Sequence, residues 1–286
     1  MEFLEELEEH VLCGDGAMGT MLLEAGIPLQ RCFEELCVSE PDRIRKIHDD
    51  YIAAGARVIE TNTFGANAVR LERFGLEGRG SEINRAAVEV AKRAARGRNV
   101  YVAGSVGPLG ISADEATARG IDRPQCFRDQ LIALLEAEVD VIFFETFMDF
   151  DEMEIAFCAK RALSDLPEIC SFACAPEAKL TSGESLVDAF KEMRELGANN
   201  VGVNCLSDPG GMLHLLKSVA AGGRVAVYPS AGRPQYREGT WVYPTTPEAF
   251  GRIAREMSAA GARLIGGCCG TTPKHIAALS AAIADL

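Results

Sequence analysis

Leu264-Ile265-Gly266-Gly267-Cys268-Cys269-Gly270-Thr271-Thr272-Pro273 passes from an apolar strand through a glycine-rich turn to the start of a helix. It completes a series. Upstream, apolar runs at Val11–Cys13, Val58–Thr61, Val100–Ala103, Val141–Phe144, Ile169–Ala173, Asn200–Val203 and Val225–Tyr228 end in similar polar or glycine-rich turns, and Leu264–Ile265 is the eighth. Helical spacing fills the intervals, at Asp42–Ala54, Ser81–Arg96, Arg123–Glu138, Asp151–Ser164, Ser185–Leu196, Gly210–Val219, Pro247–Ala260 and Pro273–Ala282. Strict alternation implies parallel strands joined by right-handed crossovers. Eight such units predict a single (β/α)8 TIM barrel, with an open doubly wound sheet as the alternative. No linker, charge block or low-complexity tract divides the chain, so one domain over residues 1–286 is expected.

A chain of 286 residues that is 48% hydrophobic can bury a large core, and its net charge of −13 argues against nucleic acid or an anionic membrane surface as partner. A small-molecule ligand is expected instead. The acidic N-terminal segment lacks the pattern of a signal peptide and no apolar run reaches membrane-spanning length, which predicts a cytoplasmic protein. In that compartment the ten cysteines stay reduced, which favours metal or thiol chemistry over disulfides. Cys126, Cys158, Cys170 and Cys174 fall in apolar patterns and read as core; Cys32 and Cys37 carry no assignment.

In a barrel the segments after the strands gather on one face, where active sites lie. Here they concentrate glycine, polar and thiol residues: Gly14–Thr20, Asn62–Asn67, Gly104–Pro108, Glu145–Phe147, Asn204–Cys205, Pro229–Gly232 and Gly266–Gly270. Cys205, Cys268 and Cys269 would meet at the mouth. Three thiolates suit zinc (Zn2+) with an open fourth position, the pattern of a catalytic site, and such an ion would deprotonate a thiol substrate. The alternative is a buried Cys205 beside a redox-active vicinal pair. Glu145 ends an apolar strand where an unpaired anion is costly, so it calls for a cationic ligand or a salt bridge. Asp15 invites the same comparison, against a turn or N-cap role. Gly14-Asp15-Gly16-Ala17-Met18-Gly19 fits G-x-G-x-x-G, but no early second strand follows and no acid ends one at the required distance. Its amides could bind a carboxylate. The four histidines show no metal spacing, and Trp241 reads as a loop anchor or a roof over the site.

Together, Asp15-Gly16-Ala17-Met18-Gly19-Thr20, Glu60-Thr61-Asn62-Thr63-Phe64, Gly104-Ser105-Val106-Gly107-Pro108, Asn204-Cys205 and the Gly266–Pro273 stretch resemble the homocysteine S-methyltransferase family over nearly the whole chain. That family includes the homocysteine module of cobalamin-dependent methionine synthase and the betaine-homocysteine methyltransferases. The resemblance implies a TIM barrel in which Cys205, Cys268 and Cys269 ligate zinc and the homocysteine sulfur takes the open position, attacking a methyl donor to give methionine. It implies that Asp15 and Glu145 meet the substrate ammonium, that the Ala17, Met18 and Gly19 backbone holds its carboxylate, and that Asn62 and Thr63 line the mouth. Ser230 stands where related modules commonly carry an Asn that can be a fourth zinc ligand. The chain has no Asp-x-His-x-x-Gly cobalamin signature. The implied donor is therefore methylcobalamin, free or on a separate corrinoid or folate protein, with betaine or S-methylmethionine as the alternative. A zinc- or redox-responsive thiol-binding protein is the reading of another class, and a dinucleotide-dependent oxidoreductase the other enzyme reading.

Overall fold

The computed structural model describes residues 2–174, 179–219, 224–237 and 240–286. Its strands are β1 (Leu12–Cys13), β2 (Val58–Glu60), β3 (Tyr101–Val106), β4 (Val141–Phe147), β5 (Glu168–Phe172), β6 (Asn200–Asn204), β7 (Val225–Tyr228) and β8 (Ala262–Ile265). They form one parallel sheet in the order β1-β8-β7-β6-β5-β4-β3-β2. A parallel bridge between Gly14 and Val58 joins the two ends, and Arg57 N–H donates to the Cys13 carbonyl at 2.7 Å. The sheet is therefore a closed barrel, not the open alternative.

Helices at Pro41–Ala53, Gly80–Ala95, Arg123–Glu136, Phe150–Arg161, Leu186–Glu195, Pro209–Val219, Pro247–Ala259 and Pro273–Ile283 surround it, each within a few residues of its expected place. Their starts are chemically marked. Asp122, Asp149, Ser185 and Thr246 each accept an N–H from the first helical turn, and Thr272 with His275 forms a reciprocal capping box. A short antiparallel hairpin, Gln235–Arg237 with Thr240–Val242, follows β7. The Trp241 side chain, read as a roof or anchor, lies outside what is described.

The barrel interior holds Leu12, Val58, Ala103, Val141, Phe143, Ile169, Ala226, Tyr228 and Leu264. Phe3 and Leu7 of the helix Glu2–Glu9 join this cluster, so the acidic N-terminal segment plugs the end opposite the strand C-termini. Alternate residues such as Ile142, Phe144, Val203 and Val227 pack outward against the helices. Cys170 and Cys174 are buried as expected, and so are Cys32 and Cys37. Cys126 is half-buried, and Cys158 is exposed on the outer face of its helix, contrary to the core reading. Among the described residues no helix is long and apolar enough to cross a membrane.

Candidate active site

At the C-terminal ends of the strands lies a cavity of about 360 Å³, lined among others by Asp15, Met18, Glu60, Glu145, Cys205, Cys268 and Cys269. The three sulfurs all lie within 4.8 Å of one another. β7, between β6 and β8 in the sheet, brings them together. Cys205 N–H donates to the Tyr228 carbonyl at 2.9 Å, Cys268 N–H to the Pro229 carbonyl at 2.8 Å, and Ala231 N–H to the Cys269 carbonyl at 2.8 Å. Cys205 also sits in a left-handed conformation, φ +59°, that turns it off the end of β6.

The donor set fits a tetrahedral ion. Zinc–sulfur bonds of about 2.3 Å at the tetrahedral angle separate two sulfurs by about 3.8 Å; Cys268 and Cys269 Sγ are 3.9 Å apart. Hydrogen bonds from the Cys268 and Cys269 thiols pull the Cys205 pKa down to about 3. The same contact with Cys205 pushes Cys269 up to about 12 and Cys268 well above its ordinary value. The cluster thus concentrates negative charge on soft donors, which a divalent cation satisfies by displacing protons.

On the other side of the cavity stand three acids. Asp15 Oδ2 accepts the Glu60 N–H at 2.9 Å, and Glu145 accepts the Ser105 hydroxyl. Burial first, then Glu145 charge, raises Asp15; burial, then the charges of Glu145 and Asp15, raises Glu60; burial raises Glu145 against the Ser105 hydrogen bond. Glu60 Oε1 is buried with no hydrogen-bond partner among the described residues. The sequence reading gave Glu60 no role, although it ends Val58-Ile59-Glu60 as Glu145 ends its apolar strand. An unpaired anion at an apolar strand end is costly in both places.

The turn after β1 is built from outside. Tyr51, on the helix Pro41–Ala53, donates to the Ala17 carbonyl at 2.7 Å, and Ala17 N–H donates to Thr271 Oγ1 at 3.0 Å. The Ala17 amide is thus committed to the protein, while the Met18 and Gly19 amides meet no acceptor among the described residues. Asn62 lines the cavity and is held by the Phe33 carbonyl at 2.7 Å. Thr63 stands further back, fully buried, donating to the Ser105 carbonyl at 2.7 Å.

A family model described as homocysteine S-methyltransferase matches residues 12–283. The chain belongs to that family. It is 30% identical over its full length to the methionine synthase of Mycobacterium tuberculosis and 29% identical over 99% of its length to that of Mycobacterium leprae. It spans 26% and 25% of those relatives, about a quarter. Among solved structures it resembles the metallated form of the homocysteine methyltransferase MmuM of Escherichia coli, with TM-score 0.78 and 28% identity, covering 95% of this chain and 96% of that one. The likeness extends to the fold, a TIM barrel in both proteins. Ser230, where the family resemblance led to the expectation of an Asn, is buried beside Cys205, and a hydrogen bond from its side chain helps to lower the Cys205 pKa. Ser230 thus reaches the thiolate cluster through a sulfur.

Proposed function

We propose that this protein transfers a methyl group to the sulfur of homocysteine, giving methionine, at a zinc site made by Cys205, Cys268 and Cys269. The observation that carries the reading is the pairing of a three-thiol cluster with a buried Asp15 and half-buried Glu60 and Glu145 across one small cavity. When bound, zinc supplies a Lewis acid that keeps a substrate thiol ionised near neutral pH. Asp15, Glu60 and Glu145 take the substrate ammonium, whose positive charge offsets their crowding. The Met18 and Gly19 amides take the carboxylate, and Asn62, backed by Thr63, borders the mouth. With both ends held, the sulfur faces the open mouth for in-line attack: the new S–CH3 bond forms as the donor's bond to that methyl breaks and the donor leaves with the electron pair.

The donor in this reading is methylcobalamin, free or carried by a separate corrinoid or folate protein in the cytoplasm, which the likeness to methionine synthases supports. A second reading, a small sulfonium or ammonium donor, draws on Phe33 and Phe64, which add aromatic walls to the acid-lined cavity. A donor panel with homocysteine and zinc, scored for methionine, separates them. Cys268→Ala should abolish zinc retention and turnover; a variant that keeps both overturns the assignment. Oxidant-dependent thiol changes with no methionine from any donor would support the thiol-sensor reading instead.

A further inference from the structure

β4 and β5 keep register to Phe144 opposite Cys170 and resume it at Phe147 opposite Phe172. β4 therefore carries one extra residue, a bulge at Glu145-Thr146. Regular alternation would turn Glu145 inward and Thr146 outward. With the bulge both line the cavity, while Phe144 and Phe147 both pack in the outer core. Thr146 adopts φ +62°, a left-handed conformation that a β-branched residue keeps only where its surroundings enforce it.

Asn204 enforces it. Its Oδ1 accepts the Thr146 N–H at 2.9 Å and the Ser171 hydroxyl at 2.8 Å, and its Nδ2 donates to Thr146 Oγ1 at 2.7 Å. One amide, 2% exposed, so joins β4, β5 and β6. The next residues, Cys205 and Leu206, are themselves left-handed at φ +59° and +39°. The turn that aims the Cys205 sulfur and the bulge that carries Glu145 and turns Thr146 into the cavity are pinned by the same side chain.

Building on the homocysteine reading above, we infer that Asn204 is a positioning residue that fixes the separation between the Cys205 sulfur and the Glu145 carboxylate, and thereby the length of amino thiol the site accepts. Cysteine is one methylene shorter than homocysteine between nitrogen and sulfur. A rigid separation rejects it; a loosened one does not.

The test uses the full chain loaded with cobalt(II), whose thiolate charge-transfer absorption reports sulfur binding with no methyl donor present. Asn204→Ala should hold cobalt in the wild-type ratio, bind homocysteine about tenfold more weakly, as for one lost hydrogen-bonded contact, and lose a similar factor of preference over cysteine. In turnover, KM for homocysteine should rise more than kcat falls. Thr146→Val should reproduce part of the change, with Thr146→Ser closer to wild type. Should Asn204→Ala not fold, as read by circular dichroism, the Thr146 pair carries the test. Wild-type affinity and wild-type preference in the folded variants overturn the role of Asn204 alone. A wild-type protein whose spectrum ignores homocysteine overturns the reading of the site on which that role rests.

Discussion

Gly266→Ala asks whether the glycines beside the cysteines serve a ligand or the protein's own side chains. A Cβ on Gly266 would lie 2.2 Å from Cε1 of Tyr228 and 2.6 Å from Cδ1 and Cζ. The ring has no room to retreat. A Cβ on Gly14 would lie 2.2 Å from the Tyr228 hydroxyl, so the ring already fills the space at that glycine, and Phe143 packs edge-on with ring centroids 5.1 Å apart. Carbon atoms normally approach to about 3.5 Å, so the substitution demands a displacement of more than about 1 Å inside a close-packed barrel. Overpacking of this kind costs about 1–3 kcal/mol, and confinement on both sides puts Gly266→Ala near the top, about 3 kcal/mol. Over 286 residues an unfolding entropy of about 0.6 kcal/mol/K converts that to a Tm lower by about 5 °C.

The effect should also reach the thiols, because the Tyr228 and Pro229 carbonyls hold the Cys205 and Cys268 amides at 2.9 and 2.8 Å. Calorimetric melting of the metal-loaded protein, with the rate of zinc loss to a chelator, measures both effects. Adding Tyr228→Leu should recover part of the stability. A Gly266→Ala melt within about 1 °C of wild type, with unchanged zinc retention, refutes the sandwiched-ring reasoning.

Lys160 and Glu168 form a fully buried ion pair, with Glu168 also accepting the Asn199 N–H at 2.8 Å; Lys160→Met alone should cost about 3–5 kcal/mol in denaturant titration, and Lys160→Met with Glu168→Leu much less. Asp15, Glu60 and Glu145 have raised folded-state pKa values, chiefly from burial, so the folded protein binds their protons more tightly than the unfolded chain does. Stability of the ligand-free protein should therefore fall as pH rises from about 4, the unfolded carboxylate value, through the folded values. Glu60→Gln should flatten that fall and raise Tm at neutral pH while weakening homocysteine binding; an unchanged pH profile of melting refutes the crowding. Ser230→Asn should slow zinc loss to a chelator without homocysteine and raise the homocysteine KM, by supplying the amide that related modules carry; equal rates would show that the buried Ser230 site cannot present it to the ion.

The barrel was legible because its strands are buried on both faces and read as continuous apolar runs. The hairpin after β7 was not, since Gln235-Tyr236-Arg237 has no apolar run to mark it. The thiol cluster could be inferred from strand-end placement alone, but Glu60 could not be weighed without seeing Asp15 and Glu145 around it. The glycines carried the most misleading signal. Gly266, Gly267 and Gly270 look like clearance for a ligand, yet added Cβ atoms would meet Tyr228, Thr271 and Tyr243 at 2.2, 2.6 and 2.1 Å. A sequence shows that a side chain is missing; it does not show whose side chain fills the space. The bulge at Glu145-Thr146 was hidden for a related reason, since Val141-Ile142-Phe143-Phe144-Glu145-Thr146-Phe147 gives no sign that its alternation slips by one residue.

The two halves of the site sit on different arcs of the barrel, and strand order dictates that they do. Thiols come from the ends of β6 and β8, and acids from the ends of β1, β2 and β4. β7, which supplies no thiol, carries the carbonyls that align Cys205 with Cys268. On the acid side the Asp15 carboxylate binds the Glu60 amide, tying the β1 turn to β2, and Ser105 of β3 ties to Glu145. Asn204 is one link between the arcs, one residue from a thiol and hydrogen-bonded to the residue after an acid, and the Gly267 N–H, donating to the Asp15 carbonyl at 2.8 Å, is another. In the proposed function a simple thiol would engage one arc through the metal and a simple amine the other, and a molecule carrying both groups at the right separation would engage both. Crowded acids and clustered thiols each penalise the empty site, so their combined relief favours such a ligand over either fragment.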